Sequence, residues 1–322
     1  MTMPVPFDSE LRTFSTALRD EMGVMSLDRL ADVRAEDAAE VPDLEELRRG
    51  GRFAVGERSV PGLAGNPEVA LLICEPAGAT GPRPVIYYTH GGGMFSGDHC
   101  LGLDPMLDMA EQFGAVLVSV GYRLAPEHPH PAPIDDVYAG LLWTAAHAVE
   151  LGLDPARIVI AGASAGGGLT AALALTVRDK GGPRPLGQLL MCPMLDDRGE
   201  SASMRQMDGH DFWDRGWNGF GWSALLGSAR GGPDVPAYAA PARATDLSGL
   251  PPAHIEVGSA ESLRDEAVDY AHRIWRAGGE AELHVWSGGF HVFEVIVPDA
   301  RISVAARQAR HSFLDRLLAG RP

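Results

Sequence analysis

The residues of this chain best suited to do chemistry begin with Ser164. It sits in Gly162-Ala163-Ser164-Ala165-Gly166, between an apolar run (Arg157 to Ala161) and an Ala-rich segment of helical composition. A nucleophilic serine on a sharp strand-to-helix turn has strained backbone, so only very small residues two places either side avoid collision. The helix that starts there aims unpaired N–H groups and its positive dipole end at developing negative charge. The GxSxG spacing alone arises by chance in small-residue turns. Here the strand before it and the helix after it supply the context that a nucleophile requires.

A second turn, His90-Gly91-Gly92-Gly93, directly follows the apolar run Val85 to Thr89. Glycines allow backbone N–H groups to approach a reacting atom closely. Gly91 and Gly92, with Ala165 after the serine, are therefore the expected donors to the oxyanion of a tetrahedral intermediate. A merely flexible turn would explain three glycines, but not their pairing with GxSxG at the end of another strand. His90 is read as a residue that holds the turn, not as a proton carrier.

Four stretches carry a family resemblance: HGGGMFSGD (90–98), YRLAPEHPHPAPIDD (122–136), GASAGGG (162–168), and VGSAESLRDE (257–266) paired with GGFHVF (288–293). In this order, from about residue 50 to the C-terminus, the chain resembles the hormone-sensitive-lipase-like family of bacterial esterases. The resemblance implies an α/β-hydrolase fold, a mostly parallel eight-stranded sheet flanked by helices with a small helical lid. It also implies the order serine, acid, histidine. His291, in a Gly-flanked loop after the last strand, is then the base. Aligning Gly258 and Leu263-Arg264-Asp265-Glu266 puts Glu261 at the acid position, where the family usually has Asp; Asp265, one helical turn further on, is its rival. Glu can fill the role because the task is to accept the histidine N–H and stabilise the imidazolium. Ala163 stands where the family commonly has Asp or Thr. Glu127 is expected to anchor its loop beneath the site, and Asp98 to support the HGGG turn.

The implied chemistry is hydrolysis of a short- to medium-chain or small-molecule carboxylic ester through an acyl-enzyme. An amide, carbamate or arylformamide hydrolase would use the same machinery. A non-catalytic small-molecule receptor on this fold would be expected to lack Ser164 or His291. Met94, Phe95, Trp213, Trp217 and Phe290 are the expected pocket walls. No charged residue is seen to converge there, which favours an uncharged acyl chain. No cofactor is implied, and no metal is expected, since no histidine pair sits with carboxylates in a suitable loop.

These residues need elements to hold them. Apolar, β-branched runs recur at Val69 to Cys74, Val85 to Thr89, Ala115 to Val120, Arg157 to Ala161, Gln188 to Cys192, Ala253 to Val257 and Glu282 to Trp286. Helix-length segments lie between most of them, including Ile134 to Glu150, Leu169 to Lys180, Ser262 to Ala277 and Ile302 to Leu318. Strands alternating with helices require crossover connections, hence a mostly parallel sheet with its functional loops at the strands' carboxyl ends. Residues 1–50 read as two short amphipathic helices, an N-terminal lid or extension before a catalytic domain at 51–322. Near 204–232 the alternation lapses. Trp213, Trp217 and Phe220 there share one face of a predicted helix, which reads as a lid-type insertion packed on the body.

Composition sets the outer limits. The 322 residues are 45% apolar, enough for a sizeable core in one large domain. Lys plus Arg number 27 against 43 Asp plus Glu, a formal charge of −16 that disfavours nucleic acid and anionic membrane as partners. The opening residues lack the pattern of a secretory leader, no apolar run is long enough to span a bilayer, and Cys74, Cys100 and Cys192 read as buried free thiols. The expectation is a cytoplasmic protein, with a homodimer implied only by the resemblance.

Overall fold

The computed structural model describes residues 3–78 and 81–320. Eight strands form one sheet: β1 (Phe53–Val60), β2 (Val69–Pro76), β3 (Arg83–Thr89), β4 (Val116–Gly121), β5 (Leu153–Ala163), β6 (Gly187–Met191), β7 (Ala253–Gly258) and β8 (Ala281–Trp286). Their order is β1-β2-β4-β3-β5-β6-β7-β8. The β1–β2 and β2–β4 pairs are antiparallel and all the others parallel. Seven strands coincide with the apolar runs. β1 does not stand out in sequence because four consecutive residues, Gly56 to Ser59, are exposed on an edge strand with one neighbour. β5 starts four residues earlier than its apolar run, at Leu153.

Alternation along each strand divides the interior in two. Val85 and Tyr87 of β3, with Val118 and Ile160, face one hydrophobic cluster; Ile86 and Tyr88, with Leu117 and Val159, face the other. Three short helices precede the sheet: α1 (Arg12–Met22), α2 (Leu30–Ala39) and α3 (Leu44–Leu47). Then come α4 (Asp104–Phe113), α5 (Ala132–Ala146), α6 (Ala165–Lys180), α7 (Ala202–Gln206), α8 (Arg215–Leu226), α9 (Arg264–Arg276), α10 (Phe293–Ile296) and α11 (Arg301–Leu318). Residues of α5, α6 and α9 fill the first cluster; α4 and the end of α11 fill the second. Arg310 of α11 is 1% exposed. Its guanidinium is held between the buried carboxylates of Glu256 on β7 and Glu294 on α10.

The first fifty residues do not act as one unit. Leu11, Met25, Leu30 and Val33 join the cluster that contains Phe95 and Trp213, whereas Leu47 packs in the opposite one. Arg34 of α2 pins this segment: it donates to the carbonyls of Phe95 and Ala125 at 2.8 and 2.9 Å and forks onto both oxygens of Glu127 at 2.7 and 2.8 Å. Among the described residues no helix is long and apolar enough to cross a membrane.

Candidate active site

Ser164 sits where β5 turns into α6, with φ 56° and ψ −122°. Left-handed backbone at a residue carrying a side chain is strained, and here it lifts the hydroxyl out of the turn. The flanking glycines are required by contact. A Cβ on Gly162 would strike the Gly166 carbonyl, and one on Gly166 would strike those of Thr89 and His90. Ser164 donates its N–H to Met191 at 2.9 Å, and its carbonyl accepts from Gly168 and Met194, both at 3.0 Å. The turn is therefore fixed from both sides.

The Ser164 hydroxyl lies 2.8 Å from His291 Nε2, and His291 Nδ1 lies 3.1 Å from Glu261 Oε1. All three groups are buried. They come from the carboxyl ends of β5, β7 and β8, which neighbour one another through β6 and β7. The second oxygen of Glu261 accepts the Gly258 N–H at 2.8 Å, fixing the carboxylate plane. Asp265 points elsewhere: its carboxylate accepts the Ser203 N–H at 2.7 Å and pairs with Arg264 at 2.8 Å, tying α7 to α9.

Burial by itself would lower the His291 pKa. The Glu261 hydrogen bond and the negative charges of Glu261, Asp211 and Glu294 outweigh it, so the imidazole titrates above its ordinary 6.5. A hydroxyl held on a buried imidazole, with a carboxylate behind that ring, can be deprotonated as it attacks and can pass the proton to a leaving group.

Gly91 and Gly92 end the turn after β3 on the other side of the hydroxyl. Among the described residues, their N–H groups and that of Ala165 donate to no backbone or side-chain acceptor. Gly92 has φ 99°, and a Cβ there would collide with the Ser96 carbonyl. His90 donates its Nδ1–H to the Gly91 carbonyl (2.8 Å) and stacks on Tyr122 with ring centroids 4.1 Å apart. Burial pushes its pKa down to about 4, which keeps it neutral. Tyr122, unremarked in the sequence reading although it begins the YRLAPE stretch, donates to the His90 carbonyl at 3.0 Å. Asp98 does not support the HGGG backbone. It accepts the Cys100 N–H at 2.7 Å and pairs with His99 at 3.3 Å, because the chain has already turned away at Gly97. Glu127 is paired with Arg34 of α2, which also holds the Ala125 carbonyl of the same loop.

Ser164 and His291 open on a cavity of about 260 Å³. Phe95, Trp213 and Trp217 line it, with Phe212, Ala163, Tyr88 and, from the N-terminal segment, Met22, Val33 and Asp37. Met94 and Phe290, expected as walls, lie behind the cavity. Both are at most 1% exposed: Met94 points toward Gly168 of α6, and Phe290 packs edge-on against Phe7 and Phe212. Trp213 precedes α8, whose N-cap is Asp214, so it shares no helical face with Trp217 and Phe220. All three rings nevertheless meet Phe95, at centroid distances of 6.3, 6.3 and 4.9 Å.

The expectation that no charged residue converges here is overturned by Asp37, which lines the cavity. In sequence it lies among Glu36 and Glu40 and reads as a solvated helix face. Asp211 was equally hidden, between Asp208 and Asp214. It is fully buried and accepts the N–H of Phe212 at 2.8 Å and of His291 at 3.3 Å; burial pushes its pKa up to about 8, against the pull of His291.

Among the described residues, donor atoms of types that hold metal ions gather in three places: Glu57, His99 and Cys100; Cys192, Glu261 and His291; and His254, Glu282 and His284. In the second group both imidazole nitrogens are occupied by Ser164 and Glu261. In the third, carboxylates face both histidines, Glu256 on His254 and Glu282 on His284.

The sheet order, the strand-to-helix serine turn and the glycine-rich turn beside it define a serine hydrolase of the α/β class. The family described as alpha/beta hydrolase fold matches residues 86–295, and the chain belongs to it, in its hormone-sensitive-lipase-like esterase branch. Carboxylesterase NlhH of Mycobacterium tuberculosis is 38% identical over 276 residues, covering 80% of each chain. Esterase LipI of the same organism is 36% identical over 265 residues, 70% of this chain and 76% of the other. Among solved structures, a bacterial heroin esterase superposes with a TM-score of 0.88 at 37% identity, covering 97% of this chain and 98% of that one. A hyperthermophilic esterase from the archaeon Pyrobaculum calidifontis gives 0.87 at 27% identity over 98% and 100%. The protein is a carboxylesterase.

Proposed function

We propose that Ser164, His291 and Glu261 form the catalytic triad, and that the Gly91, Gly92 and Ala165 N–H groups form the oxyanion hole. His291 takes the Ser164 proton as the hydroxyl attacks the ester carbonyl, forming the Ser164–acyl bond through a tetrahedral oxyanion. The imidazolium then protonates the leaving alcohol, and water, deprotonated by the same His291, releases the carboxylic acid. Glu261 holds the ring and stabilises its positive charge. The observation that carries this reading is the unbroken hydrogen-bonded line Ser164–His291–Glu261 opening on one cavity.

The substrate is a small ester with a short acyl chain. The cavity is narrow, at about 260 Å³, and Trp213, Trp217 and Phe95 close it with rigid rings. Each extra methylene gains about 0.8 kcal/mol only while there is room to bury it. Residues 12–39 and the aromatic segment within 204–232 together serve as the cover.

A nitrophenyl-ester series tests both parts. Activity is expected to peak between acetyl and butyryl and to vanish in Ser164→Ala, with labelling of Ser164 by a fluorophosphonate probe. Turnover surviving in Ser164→Ala would sink the triad, and a maximum at decanoyl would sink the size argument.

A further inference from the structure

Of all residues lining the cavity, Asp37 is the one carboxylate besides the proposed catalytic groups' own partners, and its position asks for a ligand. Its Oδ2 accepts the Ser96 hydroxyl, and it also faces the Gly97 N–H. Both donors are neutral. Among the described residues no Lys, Arg or His pairs with it; the nearest guanidinium, Arg34 one turn earlier on α2, is committed to Glu127 and two carbonyls. Glu40, one turn later, adds like charge. Asp37 is half-buried, so burial raises its pKa, and the Ser96 bond offsets only part of that. A partly desolvated carboxylate without a counter-ion is stabilised by any cation that reaches it.

The rest of the wall suits such a cation. Phe95, Phe212, Trp213 and Trp217, each at most 8% exposed, line the same cavity. The negative faces of aromatic rings attract ammonium groups, tryptophan most strongly, and rings combined with a carboxylate are how proteins hold quaternary ammonium. The chain's net charge of −16 enriches cations near its surface and repels anions.

Resting on the ester-hydrolase reading above, we infer that this cavity selects small esters bearing an ammonium group, which Asp37 and the surrounding rings recognise while Ser164 is acylated. Asp37 is a specificity-determining residue in this scheme. It takes no part in bond making.

Pairs of esters differing only in charge provide the test. One pair carries the difference in the alcohol portion, acetylcholine against 3,3-dimethylbutyl acetate. The other carries it in the acyl portion, ethyl trimethylammonioacetate against ethyl 3,3-dimethylbutanoate. The expected result is a cation-to-neutral ratio of kcat/KM that falls about tenfold in Asp37→Asn for at least one pair and returns in Asp37→Glu. A ratio measured within one protein is independent of how much of it folds. An unchanged ratio in both pairs, with neutral and cationic esters slowed alike, would mean that Asp37 only pins α2 to Ser96 and would overturn the inference. Should neither variant fold, equal kcat/KM for the cationic and neutral members of both pairs in the wild type would overturn it as well. Failure to hydrolyse any of the four, or hydrolysis persisting in Ser164→Ala, would instead count against the triad.

Discussion

In the proposed triad His291 must be neutral to accept the Ser164 proton, and its pKa lies above 6.5 because the Glu261 hydrogen bond and charge, against burial, favour the imidazolium. Activity should therefore fall as the pH drops through that raised pKa. The acid limb of kcat/KM is expected to have its midpoint above 6.5 and to move down in Glu261→Gln, which removes the charge that raises it; a midpoint at or below 6.5 in the wild type contradicts the assignment. Gly92 offers a second residue-scale prediction. With φ 99° and the Ser96 carbonyl against its α-carbon, Gly92→Ala must displace the turn, and turnover should drop about 10²–10³-fold, as for loss of an oxyanion donor. Steady-state kinetics on folded Gly92→Ala checks this. Ser164 and Gly92 could be singled out in the sequence because each has a backbone shape that few residue types permit, and His291 because the resemblance puts a histidine after the last strand. Asp37, Asp211 and Tyr122 were not, since their roles arise only when distant segments meet, and nothing in their neighbours' spacing announces it.

At the scale of elements, α2 lines the cavity with Val33 and Asp37 and is held there by Arg34. The exposed half of its pair with Glu127 contributes little. The charged hydrogen bonds to Phe95 and Ala125 contribute about 1.5–3 kcal/mol each, and they hold the segment that carries Phe95. Arg34→Ala is expected to raise KM about tenfold with a smaller change in kcat, measured on the short-chain nitrophenyl ester. An unchanged KM would show that α2 is passive. Six strands, β2 to β7, could be read from their apolar runs because they lie inside the sheet, and the edge strand β8 from the run Glu282 to Trp286 although it is only half-buried. β1 could not, because an edge strand tolerates Glu57 and Arg58. The aromatic segment was recognised but misplaced: Trp213 reaches Phe95 from the loop ahead of α8, not from its helical face.

Across the whole molecule, the sheet is locked to α11 by a charge where an apolar residue would be expected. Arg310 sits between Glu256 and Glu294 with 1% exposure. Replacing it by Met would leave Glu294 without a counter-charge and Glu256 with His254 alone, and breaking a buried pair in this way costs about 3–5 kcal/mol. Chemical denaturation of Arg310→Met should show an unfolding free energy lower by that amount, and a variant as stable as the wild type would refute the account. Periodicity marked the helix itself, but a buried arginine looks the same in sequence as a solvated one.

The N-terminal segment is stitched to parts of the chain made much later. Asp8 donates to the Gly288 carbonyl at 3.0 Å, Trp217 donates from its indole to Gly23 at 2.8 Å, and Glu10 pairs with Arg301. These stitches have a consequence for biosynthesis. A ribosome delivers Leu11, Met25 and Leu30 first, and the surfaces they cover are completed only when residues near 290 emerge. Through most of translation the stitches to Trp217, Gly288 and Arg301 cannot form, so this segment waits on the last third of the chain and is where a chaperone's hold would help.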